Sequence, residues 1–150
     1  RADDEAVRPQ QVVDAGLQRG QRAQLDGIGE LRRAGAHVVL NARDQAALKT
    51  RVRELTAKGL KAEVAAFDVT DHAAGRACIL GAVQKHGRFD ILVANAGIQH
   101  RKPITEFAAA DFERVVGTNL TAVWALAKEA AKAAFEAGKV VGDIFKWPKQ

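Results

Sequence analysis

Apolar positions follow no sustained period before Ala34 and a regular one after it. His37-Val38-Val39-Leu40-Asn41 is a short apolar run and predicts a buried strand. Asp44 is placed to cap a helix whose Leu48, Val52 and Leu55 recur at i, i+4 and i+7, one helical face. Lys58-Gly59 stops that helix, because glycine accepts the left-handed cap conformation. Ala62 to Phe67 predicts a second strand, ending at Asp68-Val69-Thr70-Asp71. Thr70 or Asp71 caps the next helix, with an apolar stripe of Ala74, Cys78, Ile79, Ala82 and Val83 and an end at Gly87. Phe89 to Ala94 predicts a third strand with the core run Ile91-Leu92-Val93. A long helix follows from about Ala109 to Gly138. Phe112, Val115, Val116, Asn119, Leu120, Val123, Trp124 and Ala127 keep helical spacing along it. Lys139 to Phe145 predicts the start of a fourth strand.

Residues 1–33 read as a divergent segment, rich in Arg, Gln and Asp, set before a partial domain over residues 34–150. Its only strand-like run is Gln11-Val12-Val13-Asp14, a poor candidate for a central strand. The abrupt change near Ala34 is what a frame change in the coding sequence would produce.

Strands alternating with helices of this length define βαβ units and a parallel sheet. The expected fold class is α/β, an incomplete Rossmann-like doubly wound parallel sheet with helices on both faces. Such sheets bind ligands at the carboxyl ends of their strands. Here that edge carries Asn41-Ala42-Arg43, Asp68-Val69 and Asn95-Ala96-Gly97.

Composition narrows the classes. The chain has 150 residues, which suits one domain, and 47% are hydrophobic, enough for a core. No window approaches the roughly 18 apolar residues that a membrane helix needs, and no signal peptide is evident, so a cytoplasmic protein is expected. The net charge of +5 invites nucleic-acid binding. Basic residues are scattered among acidic ones and aromatics are only 5%, so a solvated surface is the expectation, with no nucleic-acid partner. The basic balance also suits a phosphorylated cofactor. A single cysteine, Cys78, excludes an intramolecular disulfide and a cysteine metal cluster. His37, His72 and His86 form no ligand-spaced group in sequence and read as structural, so no metal is expected. There is no Tyr, no Ser and no Met, and a chain opening at Arg1 without methionine reads as a fragment or processed product.

Four segments, in this order, resemble the short-chain dehydrogenase/reductase family: Gly35 to Asp44, Phe67-Asp68-Val69-Thr70-Asp71, Asp90 to Gly97, and Thr118-Asn119-Leu120. The resemblance runs from about Ala34 to about Lys132. Within the family, Asn95 to Pro103 looks most like the gluconate 5-dehydrogenase group.

The resemblance implies an oxidoreductase acting on a small molecule, a sugar acid or related alcohol or ketone, in a family that is often homo-oligomeric. It implies that Asp68 and Val69 contact the adenine, and that Asn95, Ala96 and Gly97 line the cofactor ribose. Asn119 matches the helix asparagine that supports the catalytic proton relay. Arg43 stands where the family reads the adenosine ribose, and a cation there favours a 2′-phosphate, hence NADP over NAD. Asn41 replaces the acidic residue expected for NAD. Each position also has a structural reading: Asp68 as a cap, Asn95-Ala96-Gly97 as a turn, Asn119 as a structural hydrogen bond, Arg43 as a surface cation. His100, Arg101 and Lys102 read either as a contact to an acidic sugar or as a solvated loop.

Two departures stand out. The family's glycine loop cradles the pyrophosphate at a helix N-terminus. Here only Gly27-Ile28-Gly29 resembles its tail, and it reads as a remnant. The family also moves a proton with a tyrosine activated by a lysine, and holds the substrate oxygen with a serine. A chain without Tyr or Ser has no such set. The expectation is an inactive fragment, with a non-catalytic nucleotide-binding or interaction module as the alternative.

Overall fold

The computed structural model describes residues 11–15 and 35–136. Gly27, Gly29 and the strand expected from Lys139 lie outside them. In chain order the elements are β1 (Gln11–Ala15), β2 (His37–Ala42), α1 (Gln45–Ala57), β3 (Lys61–Ala66), α2 (His72–His86) and β4 (Ile91–Ala94). A short 3-10 turn at Ile104–Glu106 leads to α3 (Ala109–Val116), a π-helical segment at Gly117–Thr121, and α4 (Ala122–Glu136).

The four strands form one parallel sheet in the order β3-β2-β1-β4. The sheet is incomplete, as expected, and the weak run near the N-terminus is the strand that joins β2 to β4. Val12 pairs with Val38 on one side and Ile91 on the other. This corrects the expectation of a poor candidate. Five residues suffice because β2 and β4 pair with the inserted backbone on both sides.

Each face of the sheet carries its own helices. Val38 and Leu40 point to α1 and pack with Leu48, Leu55 and Leu60. Val39 points the other way and packs with Ile79 and Ala82 of α2 and with Ala122, Leu126, Ala130 and Ala133 of α4. The alternation in β2 thus separates two cores, the period-two rule of a strand buried on both faces.

Local signals hold as the sequence expects. Asp44 caps α1 by accepting from the Ala46 and Ala47 N–H groups. Asp71, rather than Thr70, caps α2 by accepting from the Ala74 N–H. Gly87 ends α2 in the left-handed conformation, at φ 70°. Gly75 lets α2 meet α4: a Cβ there would stand 2.8 Å from Leu126 Cδ2.

The long helix departs from its simple pattern. Its buried face is made of alanines and Leu126, while Phe112, Leu120, Trp124 and Phe135 are each at least 60% exposed. Phe112, Leu120 and Trp124 share one outward face that runs on through the π-helical turn, while Ala122, Ala125, Ala130 and Ala133 are buried.

Candidate functional site

The carboxyl ends of the strands open into a cavity of about 510 Å³. That is within the usual range of roughly 300–1,000 Å³ for a ligand pocket. Asn41, Ala42 and Arg43 line it from the end of β2, and Phe67 to Thr70 from the end of β3. Ala96, Gly97 and Ile98 close it after β4, and Glu113, Arg114, Gly117 and Thr118 face it from α3 and the π segment. Of the positions singled out in the sequence, Arg43, Asp68, Val69, Ala96 and Gly97 meet here. Asn95 follows β4 directly but is not among the lining residues.

Asn41 is the most enclosed polar group, 1% exposed. Its amide donates to the Ala65 and Phe67 carbonyls at 2.8 and 3.1 Å, tying the ends of β2 and β3 together. Its Oδ1 is buried without a hydrogen-bond partner among the described residues.

Asp68 shapes the neighbouring wall. Its Oδ1 accepts from the Thr70 N–H at 2.9 Å and from the Thr70 hydroxyl at 2.7 Å. Those two bonds hold its carboxyl below the ordinary value; partial burial opposes them, and Arg43 adds a smaller pull downward. Asp68 therefore builds the turn after β3 and leaves the helix cap to Asp71. Arg43 Nη1 lies 3.6 Å from Asp68 Oδ2, with its side chain 77% exposed. An ion pair so open to water holds its cation loosely.

Asn119 stands outside the lining and acts on it through Ile98. It accepts from the Ile98 N–H at 2.8 Å and donates to the Ile98 carbonyl at 2.9 Å. The π segment places Asn119 opposite that loop, so its partner is backbone.

The loop after it is organised by Asp111. His100 Nε2 lies 3.1 Å from Asp111 Oδ2, Lys102 Nζ 3.8 Å from the same oxygen, and Arg114 donates to Oδ1 at 3.1 Å. The polar loop is thus tied to α3. Glu113 and Arg114 were not singled out in the sequence. Only their position one turn before Thr118-Asn119-Leu120 hinted at them.

A parallel doubly wound sheet with a cavity at the carboxyl ends of its strands is the α/β architecture in which such ends hold ligands. The chain belongs to the short-chain dehydrogenase family, whose model matches residues 26–144. It is 40% identical over 102 residues to a gluconate 5-dehydrogenase of Gluconobacter oxydans, covering 68% of this chain and 40% of that protein. It is 33% identical over 117 residues to a 5-keto-D-gluconate 5-reductase of Escherichia coli, covering 77% of this chain and 45% of that one. A gluconate 5-dehydrogenase structure from Burkholderia cenocepacia, in complex with NADP and tartrate, superposes with a TM-score of 0.71 at 33% identity, over 85% of this chain and 51% of that one. The chain thus spans two fifths to half the length of these relatives. Among the described residues no helix is long and apolar enough to cross a membrane.

Proposed function

We propose that these 150 residues are the nucleotide-binding part of an NADP-dependent oxidoreductase acting on a sugar acid or related alcohol or ketone, and that alone they bind without turnover. The carrying observation is the convergence of Arg43, Asp68, Val69, Ala96 and Gly97 on one cavity. Arg43 takes the 2′-phosphate, giving up a solvent-exposed ion pair for a charge-assisted one. Asp68 and Val69 bound the adenine. Asn95, Ala96 and Gly97 approach the ribose, where Gly97 offers backbone without a Cβ. When bound, the nicotinamide supplies the hydride acceptor or donor. Asn119 holds the Ile98 backbone in place beside it.

No residue of this chain is a tyrosine or serine, so the family's proton donor is not among these 150 residues. Similarity to gluconate and 5-keto-D-gluconate enzymes supports the sugar-acid class. Exposed Phe112, Leu120, Trp124 and Phe135 support a homo-oligomer.

Titrating NADPH into the purified chain, followed by tryptophan fluorescence, tests the reading. Saturable binding with NADPH preferred over NADH, and no oxidation with 5-ketogluconate, is expected. No binding at millimolar NADPH would overturn it.

A further inference from the structure

A second polar cluster lies at the opposite edge of the sheet, and the cavity does not use it. His37 opens β2, Glu63 is the third residue of β3, and His86 closes α2. Val39 pairs with Glu63 across the sheet, so His37, two residues before Val39, shares Glu63's face. The helix that returns over this face delivers His86 to the same point. The sequence separates these residues widely, which is why the histidines read as unrelated there.

The geometry is that of a ligand set. His86 Nε2 is 2.9 Å and His37 Nε2 3.5 Å from the same oxygen, Glu63 Oε1. All three ligand atoms lie within 4.8 Å of one another. Metal–ligand bonds of about 2.0–2.1 Å in a tetrahedral site separate neighbouring donors by about 3.3 Å. The imidazole rings are 4.1 Å apart, centroid to centroid, and tilted by 49°. The Nε2 of His37 is buried without a hydrogen-bond partner among the described residues. Its neighbour Glu63 Oε1 is aligned with His86 instead. Such an orphaned nitrogen is unusual in a protein interior.

We propose that His37, Glu63 and His86 form a site for a zinc-class divalent transition-metal ion, on the sheet edge opposite the nucleotide cavity. Two imidazoles and one carboxylate suit zinc or cobalt better than magnesium or calcium, which prefer oxygen. The ion takes Oε1 and both Nε2 atoms, and solvent completes its shell. To ligate, His86 gives the metal an unprotonated Nε2, so the ring takes its Nδ1–H tautomer on binding and any displaced proton passes to solvent. Lys85 keeps its bond to the other carboxylate oxygen, Oε2. Its ammonium, with Lys61 also nearby, opposes the incoming charge and weakens the site.

The full chain is titrated with Co²⁺, read by its visible absorption, and back-titrated with Zn²⁺. One Co²⁺ per chain, displaced by Zn²⁺ and not by Mg²⁺, is expected. His37→Gln, Glu63→Gln and His86→Gln should each weaken binding at least about tenfold. His72→Gln, on an exposed histidine of α2, should leave it unchanged. Lys85→Gln, which keeps all three ligands and alters an exposed side chain, should bind more tightly. Circular dichroism confirms that each variant is folded. Absence of binding at millimolar Co²⁺, unchanged affinity in the three ligand variants, or weaker binding by Lys85→Gln would each overturn the proposal.

Discussion

Asn119 grips Ile98 by both backbone groups, accepting from its N–H and donating to its carbonyl. One side-chain amide thus fixes the loop that leaves β4, as a neighbouring strand would. Asn119→Ala should cost about 1–2 kcal/mol in urea unfolding, the loss of two exposed hydrogen bonds. Asn119→Asp keeps the acceptor for the Ile98 N–H and loses the donor, so it should fall between. If the clamp also positions the cavity wall, NADPH affinity should fall in the same order.

Arg43 should discriminate between cofactors. Its side chain is exposed and only loosely tied to Asp68, so it is available to a phosphate. Arg43→Ala should weaken NADPH binding by about 10–100-fold, the loss of a charge-assisted hydrogen bond, and change NADH binding little. Parallel fluorescence titrations with the two cofactors measure the ratio.

Asp68 should make stability acid-sensitive. Its folded pKa is lowered, by the Thr70 N–H above all. The stabilisation is therefore fully present above the unfolded value of about 3.9 and is lost as pH falls through the folded value. Melting curves of the wild type and Asp68→Asn should differ by a constant amount at neutral pH. They should converge as pH drops below about 4.

Gly75 sets the spacing of α2 and α4. Gly75→Val should destabilise by about 1–3 kcal/mol through overlap with Leu126. Leu126→Ala alone should cost about 2–5 kcal/mol, because Leu126 is buried in the core. The double variant should cost less than the sum, since each change makes room for the other, and a double-mutant cycle measures the difference.

Much of this was legible in the residue pattern. The apolar run of β2, the Leu48–Val52–Leu55 face and the Asp44 cap each follow from local chemistry, and the structure contains all three. The cavity edge was legible because Arg43, Asp68 and Gly97 all follow strands. β1 was undervalued because its stability comes from partners on both sides, which a five-residue window does not contain. The outward position of Trp124 was hidden because the buried face of this helix is built mostly of alanines, which a pattern of large apolar residues does not mark. His37 and His86 looked unrelated because only the crossover of α2 brings them to Glu63.

The position of β1 also sets an order of assembly. Its hydrogen bonds to β2 span about 26 residues of chain, and those to β4 about 79, as Val12 pairs with both Val38 and Ile91. The β1–β2 pairing closes the shorter loop, and the second edge of β1 is covered only once β4 has formed. Until then β1 presents an unpaired strand edge, open to mispairing. Such long-range closure slows folding, because loop entropy is lost before the contact forms. Changes within residues 11–15 should thus act on folding yield during synthesis more than on the finished cavity.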